Sequence, residues 1–180
     1  MGKGYIGIGG DPVRSTVLID EASLVGQNPP GLDTPLQITW GNTSDIITED
    51  AILRVNGDIE LYSEKVFGVL FDLQYGRSGG AGQSKLWFTS QISFGGGPFV
   101  YVPYSIVEYI ENANDIKSLN RLVNFELDSS VAPFPWIVKL LLIRDSTSNG
   151  HNSGGLAPLT ATLAGVPAAP SARIIINTYE

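Results

Sequence analysis

The chain has no cysteine. Disulfides, thiolate zinc sites and cysteine nucleophiles are therefore excluded, and the composition fits a reducing cytosol. It has a single histidine, His151, so a Ser-His-Asp triad would have to be built on that one residue. Basic residues are also scarce: 11 Lys and Arg stand against 18 Asp and Glu, for a net charge of −7. A nucleic-acid binder shows a basic stripe, and an anionic membrane surface selects for basic clusters; neither pattern is present. No apolar run is long enough to span a bilayer, and "MGKGYIGIGG" is too short and too broken by glycine for a secretory signal. Nothing in the sequence calls for a cofactor.

The chain is instead rich in glycine (21), proline (11) and apolar residues (43%), with only 16% charged residues. That balance favours many turns and strands over helices. A body of ~145 residues buries roughly two thirds of its unfolded surface, enough for a sizeable core.

From Pro35 onward the hydrophobic pattern alternates with period two, as half-buried strands do. "KVFGVLFDLQYG" puts Phe67, Val69, Phe71, Leu73 and Tyr75 on one face. "KLWFTSQISF" points Leu86, Phe88, Ile92 and Phe94 inward and Trp87, Thr89 and Gln91 outward. Asn56-Gly57 lies between two apolar runs and predicts a tight hairpin, because it supplies positive φ. Pro103 breaks "FVYVPYSIVEYI" into an edge strand or two short ones. "APFPWIVKLLLIRD" is continuously apolar and reads as a central strand buried on both faces. With turn signals roughly every 8 to 15 residues, about eight antiparallel strands are expected, arranged as a β-sandwich of jelly-roll type or a closed barrel.

Residues 1–34 differ: two Gly/Pro-rich stretches bracket one short apolar run. This segment reads as a flexible terminus or as an extended N-terminal arm. As an arm it would dock on a neighbouring subunit through Tyr5, Ile6, Ile8, Val17, Leu18 and Ile19. Residues 35–180 then form the sandwich domain.

"RDSTSNGHNSGGL" spaces Asp145, Thr147 and Asn149 two apart, with Gly150 next, as an EF-hand loop begins. Its twelfth position is Leu156 rather than a bidentate acid, and "WIVKLLLI" before it is β-like. The stretch therefore reads as a polar turn-rich loop and not as a metal site. No Walker pattern occurs, and "GRSGG" is one residue short of a nucleophile elbow. The chain is expected not to be an enzyme. Outward Trp87, with Arg144 and Asp145 at a strand end, are the candidate subunit-interface residues.

"LQYGRSGGAGQSKLWFTSQI", "LLLIRDSTSNGHNSGGL" and "PSARIIINTY" together resemble small virion proteins of tailed bacteriophages, a likeness covering roughly residues 36–180. The resemblance implies a jelly-roll domain related in shape to the trimeric tumour-necrosis-factor and complement heads. It further implies a capsid decoration, or cement, protein: made in the host cytoplasm, homotrimeric, and bound to major capsid proteins on the outer surface of the virion. Phage fibre and tail-tip heads use similar sandwiches. The alternative expectation is thus a glycan-binding head with Trp87 and the Tyr101/Tyr104 neighbourhood as stacking platforms.

Overall fold

A computed structural model describes residues 15–77, 83–103, 105–111, 115–147, 154–159 and 167–179. Among them are thirteen strands and no helix. The strands are β1 (Ser15–Ser23), β2 (Leu36–Gln37), β3 (Ile46–Ile47), β4 (Ala51–Leu53), β5 (Ile59–Leu61), β6 (Val66–Gly76) and β7 (Ser84–Phe94), followed by β8 (Val100–Tyr101), β9 (Ile106–Ile110), β10 (Ile116–Glu126), β11 (Trp136–Arg144), β12 (Gly155–Leu156) and β13 (Ala172–Tyr179). They form two antiparallel sheets stacked as a β-sandwich of the jelly-roll class. The five-stranded sheet runs β1-β13-β6-β10, with β12 also on β6. The eight-stranded sheet runs β3-β4-β5-β11-β7-β8, with β2 on β11 and β9 on β7.

The core lies between the sheets and follows the period-two pattern. Phe67, Val69, Phe71, Leu73 and Tyr75 of β6 are all buried, as are Ile174 and Ile176 of β13, and Leu86 and Phe88 of β7 face them. Trp40 stacks on Phe71 with ring centroids 5.7 Å apart. Tyr75 meets Phe88 edge-on and donates from Oη to Glu108 Oε2 at 2.6 Å, tying β6 to β9 across the sandwich. Burial and the Glu108 carboxylate together raise the pKa of that phenol.

The Asn56-Gly57 hairpin forms as the sequence predicts. Gly57 has φ +94°, and a Cβ there would lie 2.1 Å from the Ile38 carbonyl oxygen. Arg54 fastens the hairpin by donating to Glu60 (2.7 and 2.9 Å) and to Asp45 (2.8 Å). The apolar run around Pro103 becomes the two short strands β8 and β9, both on β7. β11 is central, between β7 and the β2/β5 edge, and Leu140, Leu141 and Leu142 are all buried. On its outward face, however, Ile137 and Ile143 are only half-buried, so β11 is not covered along its whole length on both sides.

The expected division at residue 34 needs correction. Residues 15–23 pair with β13 from Ser15↔Tyr179 to Ser23↔Ala172, so they are an edge strand of this chain's own sandwich. Ile19 is 3% exposed and belongs to the core, and Leu18 packs against it beside a bulge. The connection from β1 to β2 is fastened too: Gln27 pairs with Leu156, and Ser171 Oγ donates to the Ser23 and Val25 carbonyls. Composition misled here because the strand borrows its core from the rest of the chain. The expected anchors Tyr5, Ile6 and Ile8 lie outside the described residues.

Candidate partner-binding face

β7 alternates, so Lys85, Trp87, Thr89 and Gln91 point away from the core, onto the outer face of the eight-stranded sheet. Register then decides their neighbours. Trp87 lies opposite Val107 of β9 on one side and Ile143 of β11 on the other. Lys85 lies opposite Tyr109, and Gln91 opposite Tyr101. The result is an apolar row, Val107-Trp87-Ile143, flanked by two exposed tyrosines.

The chain leaves β11 into Asp145, which reaches back over this row. Trp87 Nε1 donates to Asp145 Oδ2 at 2.6 Å, and Lys85 Nζ lies 2.7 Å from the same oxygen. The Thr147 amide and hydroxyl donate to Oδ1 at 2.7 and 2.6 Å. Lys85, then Thr147 and Trp87, hold the Asp145 carboxyl well below the usual carboxylate range, while Asp145 raises the Lys85 pKa. Lys85 Nζ also sits 5.1 Å from the centroid of the Trp87 ring. The indole is thus fixed before any partner arrives, which lowers the ordering cost of binding.

Two shallow hollows adjoin the ring. One, of about 270 Å3, is lined by Trp87, Thr89, Tyr101, Pro103 and Ser105. The other, of about 430 Å3, is lined by Trp87, Ile143, Asp33, Asp145 and Thr147. The surface therefore has aromatic and aliphatic residues at its centre and charged and hydroxyl groups at its rim. Desolvated anchors surrounded by polar residues are the usual anatomy of a protein-recognition patch.

Of the three interface residues expected from sequence, the fold brings Trp87 and Asp145 into direct contact across 58 positions. Arg144 is different and is corrected: it is 6% exposed and faces away from this surface. Its Nε donates to the Gly154 carbonyl at 3.2 Å and its Nη2 to the Pro29 carbonyl at 2.8 Å, and burial lowers its pKa. It is an internal clasp joining the β1–β2 connection to β12. Sequence reading missed Lys85, Val107, Tyr109 and Ile143. Lys85 shares the parity of Trp87 and was legible on that ground; the other three depend on register.

The Asp145–Thr147 spacing that resembles a calcium loop is explained by these bonds. Both carboxylate oxygens are engaged by protein donors, and among the described residues no three His, Cys, Asp or Glu side chains group as metal ligands. Asn149, Gly150, His151 and Tyr104 lie outside the described residues.

No protein-family model and no curated protein matches the chain. Among solved structures it is similar to the CBM22-1 xylan-binding domain of Paenibacillus barcinonensis Xyn10C. The identity is 8%, over 91% of this chain and 95% of that one, with a TM-score of 0.38. A likeness of that degree says nothing about ligands.

Proposed function

We propose that the protein is a structural virion protein: a capsid decoration protein that binds the outer surface of a phage head and stabilises contacts between major capsid proteins. The observation that carries this reading is the Trp87 face. It is a pre-fixed aromatic centre with a polar rim on a rigid sheet, built for adhesion rather than turnover. The resemblance of residues 36–180 to phage virion proteins supplies the partner. Self-association as a homotrimer fits the exposed apolar side chains Val100, Tyr109 and Leu122, because a trimer multiplies weak contacts through effective concentration. Binding the assembled shell alone stabilises that state by mass action.

The test is a comparison of phage shells with and without the protein, challenged by heat and low salt. Complete shells are expected to survive longer, and equal survival refutes the stabilising role. Trp87→Ala is expected to weaken shell binding by about 2 kcal/mol, roughly 30-fold in Kd.

A second reading has one specific observation in its favour: Trp87 and the exposed Tyr101 share a hollow with the hydroxyls of Thr89 and Ser105. A fibre or tail-tip head that stacks a glycan ring would use such a hollow. Signal on a glycan array, lost in Tyr101→Ala, combined with labelling on the tail, would favour it over the capsid role.

A further inference from the structure

We propose that the free edge of β10, with the cleft beneath it, receives residues 4–8 of a neighbouring copy as an added strand. This deepens the self-association reading above and rests on it.

β10 is the last strand of its sheet. It pairs with β6 along its whole length, from Ile116↔Gly76 to Glu126↔Val66, and its other edge has no partner among the described residues. A long free edge is a template for another strand. This one mixes apolar and charged residues: Leu122 is 50% exposed, Leu119, Val123 and Phe125 are only partly covered, and the exposed Arg121 lies between them. Below them the sandwich is open. A cleft of about 90 Å3 lies between Leu119, Arg121, Val123 and Phe125 of β10 on one side and Phe88, Ile106 and the intervening Val102 on the other. Here the core reaches the surface.

Chain connectivity points to the occupant. Ser15, at the start of β1, pairs with Tyr179; Tyr179 pairs with Val66, and Val66 with Glu126, the last residue of β10. The first 14 residues therefore leave from the end of the sheet at which β10 finishes, three strand spacings or ~14 Å from its edge. Fully extended, 14 residues reach about 46 Å, far enough to arrive at another subunit. In "GYIGI", Ile6 and Ile8 are two residues apart. That spacing matches successive inward positions on a strand such as Leu119, Arg121 and Val123. The interleaved glycines weaken any strand of its own, so the segment gains most from a template.

A neighbour's segment fits better than the chain's own. The chain's own segment would have to cross the ends of β13 and β6 and then run parallel to β10. A neighbour's can run antiparallel, the more stable pairing. Donor segment and acceptor edge are different surfaces, so a head-to-tail contact of this kind forms a ring when the rotation between copies closes.

The absence of cysteine makes a clean test. Tyr5, of opposite parity to Ile6 and Ile8, would face outward beside the even-numbered residues of β10. Full-length Tyr5→Cys is co-expressed with Asn120→Cys, Leu122→Cys or Asn124→Cys chains and oxidised. The expected result is a disulfide joining the two different chains for at least one of the three positions, and none for Asn120→Cys, Leu122→Cys or Asn124→Cys expressed alone. A second variant, Ile6→Asp with Ile8→Asp, is expected to raise the concentration needed for self-association at least tenfold, with the fold unchanged by circular dichroism. Absence of a mixed cross-link at all three positions overturns the proposal. Light scattering separates the two levels. A trimer without the cross-link sinks this inference and leaves self-association standing, whereas a monomer sinks both.

Discussion

β6 and β10 are neighbours of equal length, bonded to each other residue for residue, yet they live in different environments. Every inward side chain of β6 from Phe67 to Tyr75 is buried, while on β10 Leu119, Val123 and Phe125 are only half-covered. On that face β10 carries Leu119, Val123 and Phe125 but sets Arg121 and Lys117 opposite Phe71 and Tyr75 of β6. Position differs as well: β6 has β10 on one side and β13 on the other, and β10 has no second partner among the described residues. Burial is a property of where a strand sits, so an apolar strand left at the margin is either a liability or a contact surface.

The largest effect that tests this contrast is a pair of truncations. Phe71→Ala removes a ring stacked on Trp40 and is expected to cost about 3–5 kcal/mol, whereas Val123→Ala should cost under about 1.5 kcal/mol in the isolated subunit. Denaturant melts measure both, and equal losses would mean that β10 is as enclosed as β6. Next in size, Gly57→Ala places a Cβ against the Ile38 carbonyl at a positive φ. It should cost about 1–3 kcal/mol while leaving the β10 margin untouched.

Asp145→Asn is expected to cost about 1–2 kcal/mol at neutral pH through weakened bonds to Lys85, Thr147 and Trp87. Folding depresses the Asp145 pKa, so its contribution is whole above about pH 5 and shrinks as the pH falls through the folded value. The acid limb of the stability profile should therefore be shallower in the variant. The smallest effect belongs to Arg173→Ala. Its pair with Asp20 at 2.7 Å is solvent-exposed and should be worth about 0.5 kcal/mol or less, decreasing with salt.

Much of this architecture was legible in the residues because alternation survives wherever a strand has one wet face. The inward sets of β6 and β7, the Asn56-Gly57 turn, the central place of β11 and the split at Pro103 were all readable. The strand count was not: two-residue strands such as β2, β3, β8 and β12 leave no periodic trace and exist only because passing chain meets a sheet edge. β1 was misjudged because its single core residue, Ile19, is satisfied by partners more than 150 residues away. At the candidate face, the outward direction of Trp87 followed from parity. Its partner Asp145 and flanking Val107 and Ile143 required knowledge of register. Arg144 was taken for a surface charge because no local pattern reveals that the Pro29 and Gly154 carbonyls will enclose it.

β1 and β13 join nearly the first described residue to the last, Ser15 to Tyr179. β6 therefore stays bare on one flank until β13, the last of the described strands to be synthesised, is available to pair with it. A chain stopped before Ala172 should consequently be captured by chaperones or lost to inclusion bodies rather than yield a shorter stable domain.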